Sequence, residues 1–185
     1  RVLEGLRGAE PFSRYLGLMN VHTGFRPSAS SGTGGDTAYG THFPQSGRTT
    51  LRATRTTLLL GDAVRAGGEA DAVLVIVNSG RRGGTAIGSL CFVTRGAGPR
   101  VALHELGHAI GRLGDEYSSW AGSPTRSREA MAQAYPNLTT ATTREQLPWK
   151  DWVARSASVP AHLFSSGVSA YRGGGAYSSG IYRPS

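Results

Sequence analysis

Apolar positions begin close together. Val2, Leu3 and Leu6 are followed by Phe12, Tyr15, Leu16, Leu18, Met19 and Val21. The piece from Pro11 to Leu18 fits a helix, leading into a strand over Asn20 to Thr23. Residues 26 to 49 are dominated by Ser, Gly, Thr and Pro, a loop composition. From Thr50 to Ala66 apolar and small residues recur at helical spacing and stop at Gly67-Gly68, which predicts a helix packed on a sheet. Ala72 to Val77 is β-branched and uniformly apolar, the pattern of a strand buried on both faces. A turn over Asn78 to Gly84 precedes a second strand, Thr85 to Thr94, with Gly88 inside it. Gly96 to Pro99 ends that strand, and Pro99 opens a further helix in its first turn.

Beyond Tyr117 the pattern becomes irregular. Trp120, Pro124, Pro136, Trp149, Trp152 and Pro160 stand among polar residues, with one short helical stretch at Arg126 to Ala134. The segment from Tyr171 to Pro184 alternates glycine with aromatics. These patterns predict one domain over residues 1–185, with a sheet-and-helix half at 1–111 and a loop-rich half at 112–185. A cleft is expected where the halves join. Both ends read as cut, so a longer natural protein is expected.

The net charge of +8 changes little. Lys150 is the only lysine, the arginines are scattered, and the one adjacent pair is Arg81-Arg82. A nucleic-acid groove would need a basic stripe interleaved with aromatics, so that partner class is set aside. No apolar stretch reaches the length of a membrane span. Cys91 is the only cysteine, which excludes an internal disulfide and a thiolate zinc cluster. Its apolar neighbours make it a buried small hydrophobe rather than a nucleophile.

The chemistry concentrates in His104-Glu105-Leu106-Gly107-His108, continued by Gly111, Leu113, Asp115, Glu116 and Tyr117. On a helix the two histidines stand at i and i+4, so both imidazoles leave one face and can share a metal. Leu103, Leu106, Ala109 and Ile110 would form the opposite, core-facing stripe. Glu105 follows the first histidine, where a carboxylate can act on water without binding the metal. Gly111 is expected to leave the helix at positive φ and turn an acidic pair back toward the ion.

The extended motif resembles the signature of the IgA peptidase family of zinc metallopeptidases, H-E-x-G-H followed by a glycine and D-E-Y. The likeness continues through the Ser28 to Gly34 loop, Val77-Asn78, Gly83-Gly84, Tyr135-Pro136-Asn137, Pro148-Trp149-Lys150-Asp151-Trp152 and the Gly-Ile-Tyr-Arg-Pro ending. The resemblance implies an α/β (α+β) zincin: a metzincin-like, twisted mixed sheet, a metal-binding active-site helix and an irregular C-terminal subdomain. It implies Zn2+ held by His104, His108 and Asp115, with Glu116 as the alternative third ligand. In most metzincins a histidine six residues past the second helix histidine fills that role; here the position is Gly114. The methionine-containing turn of metzincins has no counterpart before Ser185, and Met19 and Met131 read as packing residues.

The implied function is that of a zinc endopeptidase acting on protein or peptide substrates through a metal-activated water, with Glu105 as general base. The strand before the metal helix is expected to bind substrate as an added strand. A secreted or cell-surface bacterial protein is expected. The rival is a catalytically inactive metallopeptidase-fold module. A serine hydrolase is disfavoured, since Gly167-Val168-Ser169-Ala170 meets Tyr171 where a nucleophile elbow needs glycine. His22, His42 and His162 need no metal to explain them, and packing explains Tyr117 and Tyr182 better than an oxyanion role.

Overall fold

A computed structural model describes residues 2–44, 50–118, 126–162 and 165–185. Trp120 and Pro124 lie outside the described residues. The chain packs as two compact units, Arg1–Gly111 and Arg112–Ser185. Its helices and small sheets make an α+β protein.

The first unit is built on a three-stranded mixed sheet of β3 (Val73–Val77), β4 (Gly84–Ile87) and β5 (Leu90–Thr94), in the order β3-β5-β4. The pair β3·β5 is parallel, with Val75 opposite Phe92, and β4·β5 is antiparallel, with Ala86 opposite Cys91. The central strand is thus the last in sequence. Its side chains alternate between the two faces. Cys91 packs with Leu6 and Leu106, and Val93 with Ala97 and Ala102, whereas Phe92 packs with Leu51 and Leu59. The first face is covered by α1 (Val2–Gly8), α2 (Phe12–Tyr15) and α4 (Pro99–Gly111), the second by α3 (Thr56–Gly67) and the segment around Leu51. Burying each such Leu or Phe contributes about 1.5–3 kcal/mol.

Several expectations need correction. Asn20 to Thr23 forms no strand among the described residues, and Val21 is exposed. The predicted helix from Thr50 begins only at Thr56. The preceding residues are claimed by other contacts: Leu51 is wholly buried and its N–H donates to Thr85 Oγ1 at 2.7 Å. Arg52–Ala53 (β2) pairs antiparallel with Thr41–His42 (β1). The supposed strand Thr85 to Thr94 is a hairpin that turns around Gly88, whose φ of +57° suits a tight reversal. Two-faced burial belongs to the central β5; β3 lies at the edge and leaves Ile76 56% exposed.

The second unit has little regular structure. It contains α5 (Arg128–Ala134), capped by Ser127 Oγ accepting from the Ala130 N–H at 3.2 Å, and a hairpin of β6 (Tyr171–Gly174) and β7 (Tyr177–Arg183). That hairpin falls in the glycine–aromatic stretch, where alternation was visible but pairing was not. Thr139 and Tyr182 extend it by exchanging backbone bonds of 3.0 and 2.8 Å. The core is Leu147, Trp149, Val153 and Ala170, with Trp149 Nε1 donating to Ser169 O at 2.7 Å. Arg144 holds the irregular chain by donating to the carbonyls of Val153, Arg155 and Ala157 at 2.7, 3.2 and 2.8 Å. Side-chain donors here satisfy backbone acceptors that no ladder reaches.

Candidate metal centre

Helix α4 positions the motif. Pro99 stands at its first residue, where a missing N–H costs nothing. Ala102 and Leu106 are buried toward the sheet, and Leu103 and Ala109 pack partly against the same cores; Ile110, expected in that stripe, is 47% exposed. His104 and His108 leave the helix together. Their Nε2 atoms are 3.0 Å apart and the rings meet edge to face, with centroids 4.4 Å apart and planes at 82°. Two nitrogens each at 2.0–2.1 Å from a tetrahedral zinc would be separated by about 3.3 Å. The nitrogen spacing is therefore close to what a shared ion would need.

Glu105 lies on an adjoining face of α4 and is 7% exposed. It approaches β4 at Gly84. A Cβ on Gly84 would fall 2.6 Å from Glu105 Oε1 and would also run into Val101 Cγ1, one turn earlier on the helix. Only glycine leaves the carboxylate that space. Pattern reading placed Gly84 in a turn and missed this role, which depends on the tertiary approach of strand to helix.

The helix exit differs from expectation. Gly111 is the last helical residue, and the left-handed conformation falls on Arg112, with φ of +51°. For a residue with a Cβ this costs on the order of 1–2 kcal/mol. The acidic pair belongs to the second unit. Asp115 is partly buried, and its carbonyl accepts from the Gly175 N–H at 2.7 Å. Glu116 is exposed, and its Oε1 accepts from Asn137 Nδ2 at 3.3 Å. A Cβ on Gly114 would lie 2.7 Å from Leu138 Cδ1 and 2.8 Å from Tyr135 Cγ. No side chain, and so no histidine ligand, fits there.

The remaining candidates stand elsewhere in the fold. The His22 ring lies over Gly67, and His42 Nδ1 is 3.0 Å from the Gly40 carbonyl. His162 is exposed in the second unit. Ser169 is buried, its Oγ donating to Ser158 O at 2.5 Å, which leaves no nucleophile to present. Tyr182 packs against the Trp149 cluster, and Met131 lies against Gly175. Cys91 is fully buried; its thiol donates to the Glu105 carbonyl at 3.1 Å, and burial together with the Glu105 charge pushes it up to about 12.

An i,i+4 imidazole pair on one helix can share a metal ion. The chain belongs to a peptidase family: the family model for IgA peptidase M64 matches residues 1–164, a span that includes α4, the acidic pair and Asn137. No curated protein matches it. Among the described residues no helix is long and apolar enough to cross a membrane.

Proposed function

We propose that this chain is the catalytic domain of a zinc-dependent endopeptidase with a metzincin-like site. His104, His108 and Asp115 offer the donor atoms for Zn2+. Such an ion supplies Lewis-acid polarisation of a peptide carbonyl and lowers the pKa of water to about 7. Glu105 takes the proton from the attacking water and passes it to the leaving amine. Burial of Glu105 keeps competing solvent away from its carboxylate. Asp115 is favoured over Glu116 because the Glu116 carboxylate is engaged by Asn137. Among the three sheet strands β3 and β4 are at the edges, and β4 adjoins α4, so β4 rather than β5 would receive an extended substrate as an added strand. A secreted or cell-surface bacterial setting accords with this activity.

The observation that carries the proposal is the 3.0 Å pairing of His104 and His108 Nε2 on the helix that also bears Glu105. The test combines elemental zinc analysis with cleavage of a mixed fluorogenic peptide library. The wild-type chain should hold one zinc and cleave. Glu105→Gln should keep zinc and lose turnover by at least about a thousandfold, while His104→Ala and His108→Ala should lose the metal. Unchanged turnover in Glu105→Gln would refute the mechanism. A zinc-loaded wild type that cleaves nothing would favour an inactive binding module.

A further inference from the structure

The motif is followed by a clamp made from one side-chain amide. Asn137 is buried, and its Oδ1 and both Nδ2 donors are engaged close to Asp115. Its Oδ1 accepts from the Gly114 N–H at 2.7 Å, and its Nδ2 donates to the Gly114 carbonyl at 2.9 Å. The same Nδ2 donates to Glu116 Oε1 at 3.3 Å. An asparagine amide has two N–H donors, and both are used here. It therefore grips the residues on either side of Asp115. From the other direction the β6–β7 turn holds the backbone, with the Gly175 N–H donating to Asp115 O at 2.7 Å and the Ala176 N–H to Tyr117 O at 3.2 Å. The tight fit of Gly114 against Leu138, next to the clamp residue, and Tyr135, two residues before it, fixes the segment further.

We propose that Asn137 is a positioning residue that decides which carboxylate of the Asp115–Glu116 pair serves as metal ligand. It occupies Glu116 as a structural acceptor and locks the peptide that carries Asp115. This rests on the reading of Asp115 as third ligand. A backbone held on both edges presents the Asp115 carboxylate in one place, and preorganisation of that kind is what metal affinity requires. Glu116, one bond longer and adjacent, would otherwise compete for the same ion.

The experiment measures zinc dissociation constants by competition with a chromophoric chelator, together with visible absorption of the cobalt(II)-substituted protein. The variants are Asn137→Ala, Asn137→Asp, Asp115→Asn and Glu116→Gln. Asn137→Asp has the same size, still accepts from the Gly114 N–H and loses both donors, so it serves if the alanine variant fails to fold. Loss of a residue supporting a metal ligand weakens affinity by about 10–100-fold. Both Asn137 variants should show that loss with an altered cobalt spectrum, Asp115→Asn should release zinc, and Glu116→Gln should bind as wild type. If the folded Asn137 variants lose less than tenfold and keep the wild-type spectrum while Asp115→Asn releases zinc, the positioning role is overturned and the ligand reading stands. If Glu116→Gln releases zinc and Asp115→Asn does not, the ligand reading itself fails.

Discussion

Replacing Gly84 with alanine tests how closely catalysis depends on the space around Glu105. The added methyl carbon would sit 2.6 Å from Glu105 Oε1. An unstrained carbon–oxygen contact is about 3.3 Å or longer, so the carboxylate must retreat by roughly 0.7 Å. The methyl also overlaps Val101 on the same helix face. Displacement of a reacting group by about 1 Å can cost on the order of 100-fold in rate. A loss of about 10–100-fold in kcat/KM is expected, equivalent to roughly 1.4–2.7 kcal/mol of transition-state stabilisation. Overpacking should cost about 1–3 kcal/mol of stability, lowering Tm by roughly 2–12 °C for a chain of this size. Zinc content should not change, because the His104–His108 pair leaves another face of α4. Peptide turnover, elemental analysis and a thermal melt report the three effects separately. Wild-type kcat/KM in a Gly84→Ala protein with lowered Tm would refute the claim that Gly84 sets the position of the base.

Two further outcomes follow from buried or paired groups. Cys91, pushed up to about 12 by burial and by the Glu105 charge, should resist alkylation at pH 8 in the native chain and react fully in denaturant, as mass spectrometry would show. The Asp62 carboxyl is held below the usual carboxylate range, first by the Arg26 hydrogen bond and further by Arg65 and Tyr39. A lowered folded pKa gives stability present above the unfolded value of about 3.9 and lost as pH falls below it. Asp62→Asn should therefore melt below wild type at pH 7, with the gap narrowing progressively as the pH drops under about 4; a gap as wide at pH 2 as at pH 7 would refute the assignment.

Helix α4 was legible in the sequence because its signals are local: a proline at the first position, an i,i+4 histidine pair and an apolar stripe all lie within Pro99–Gly111. The mixed α+β character and the short helix capped by Ser127 were readable for the same reason. Pairings between distant segments were not. The reversal at Gly88 looked like a glycine inside one strand, because the residues on both sides are strand formers. Leu51 resembled the start of a helix, whereas burial beside Phe92 draws it into the sheet layer. The glycine–aromatic run hid β6 and β7, since glycine carries no apolar period. Within the candidate site the pairing of His104 and His108 on one helix face was legible. The supporting contacts of Gly84 and Asn137 were not, because each depends on which chain segment approaches from elsewhere in its own unit.

The crowding around Gly114 bears on how such a loop can change through descent. A histidine at 114 would place its Cβ against Tyr135 and Leu138, so the substitution could persist only after both neighbours had become smaller. Either neighbour shrinking first would leave a cavity and, for the fully buried Leu138, cost on the order of 2–5 kcal/mol with nothing gained at the metal. A lineage that has settled on a bare backbone at this position is thus separated from a histidine-bearing loop by a stability valley.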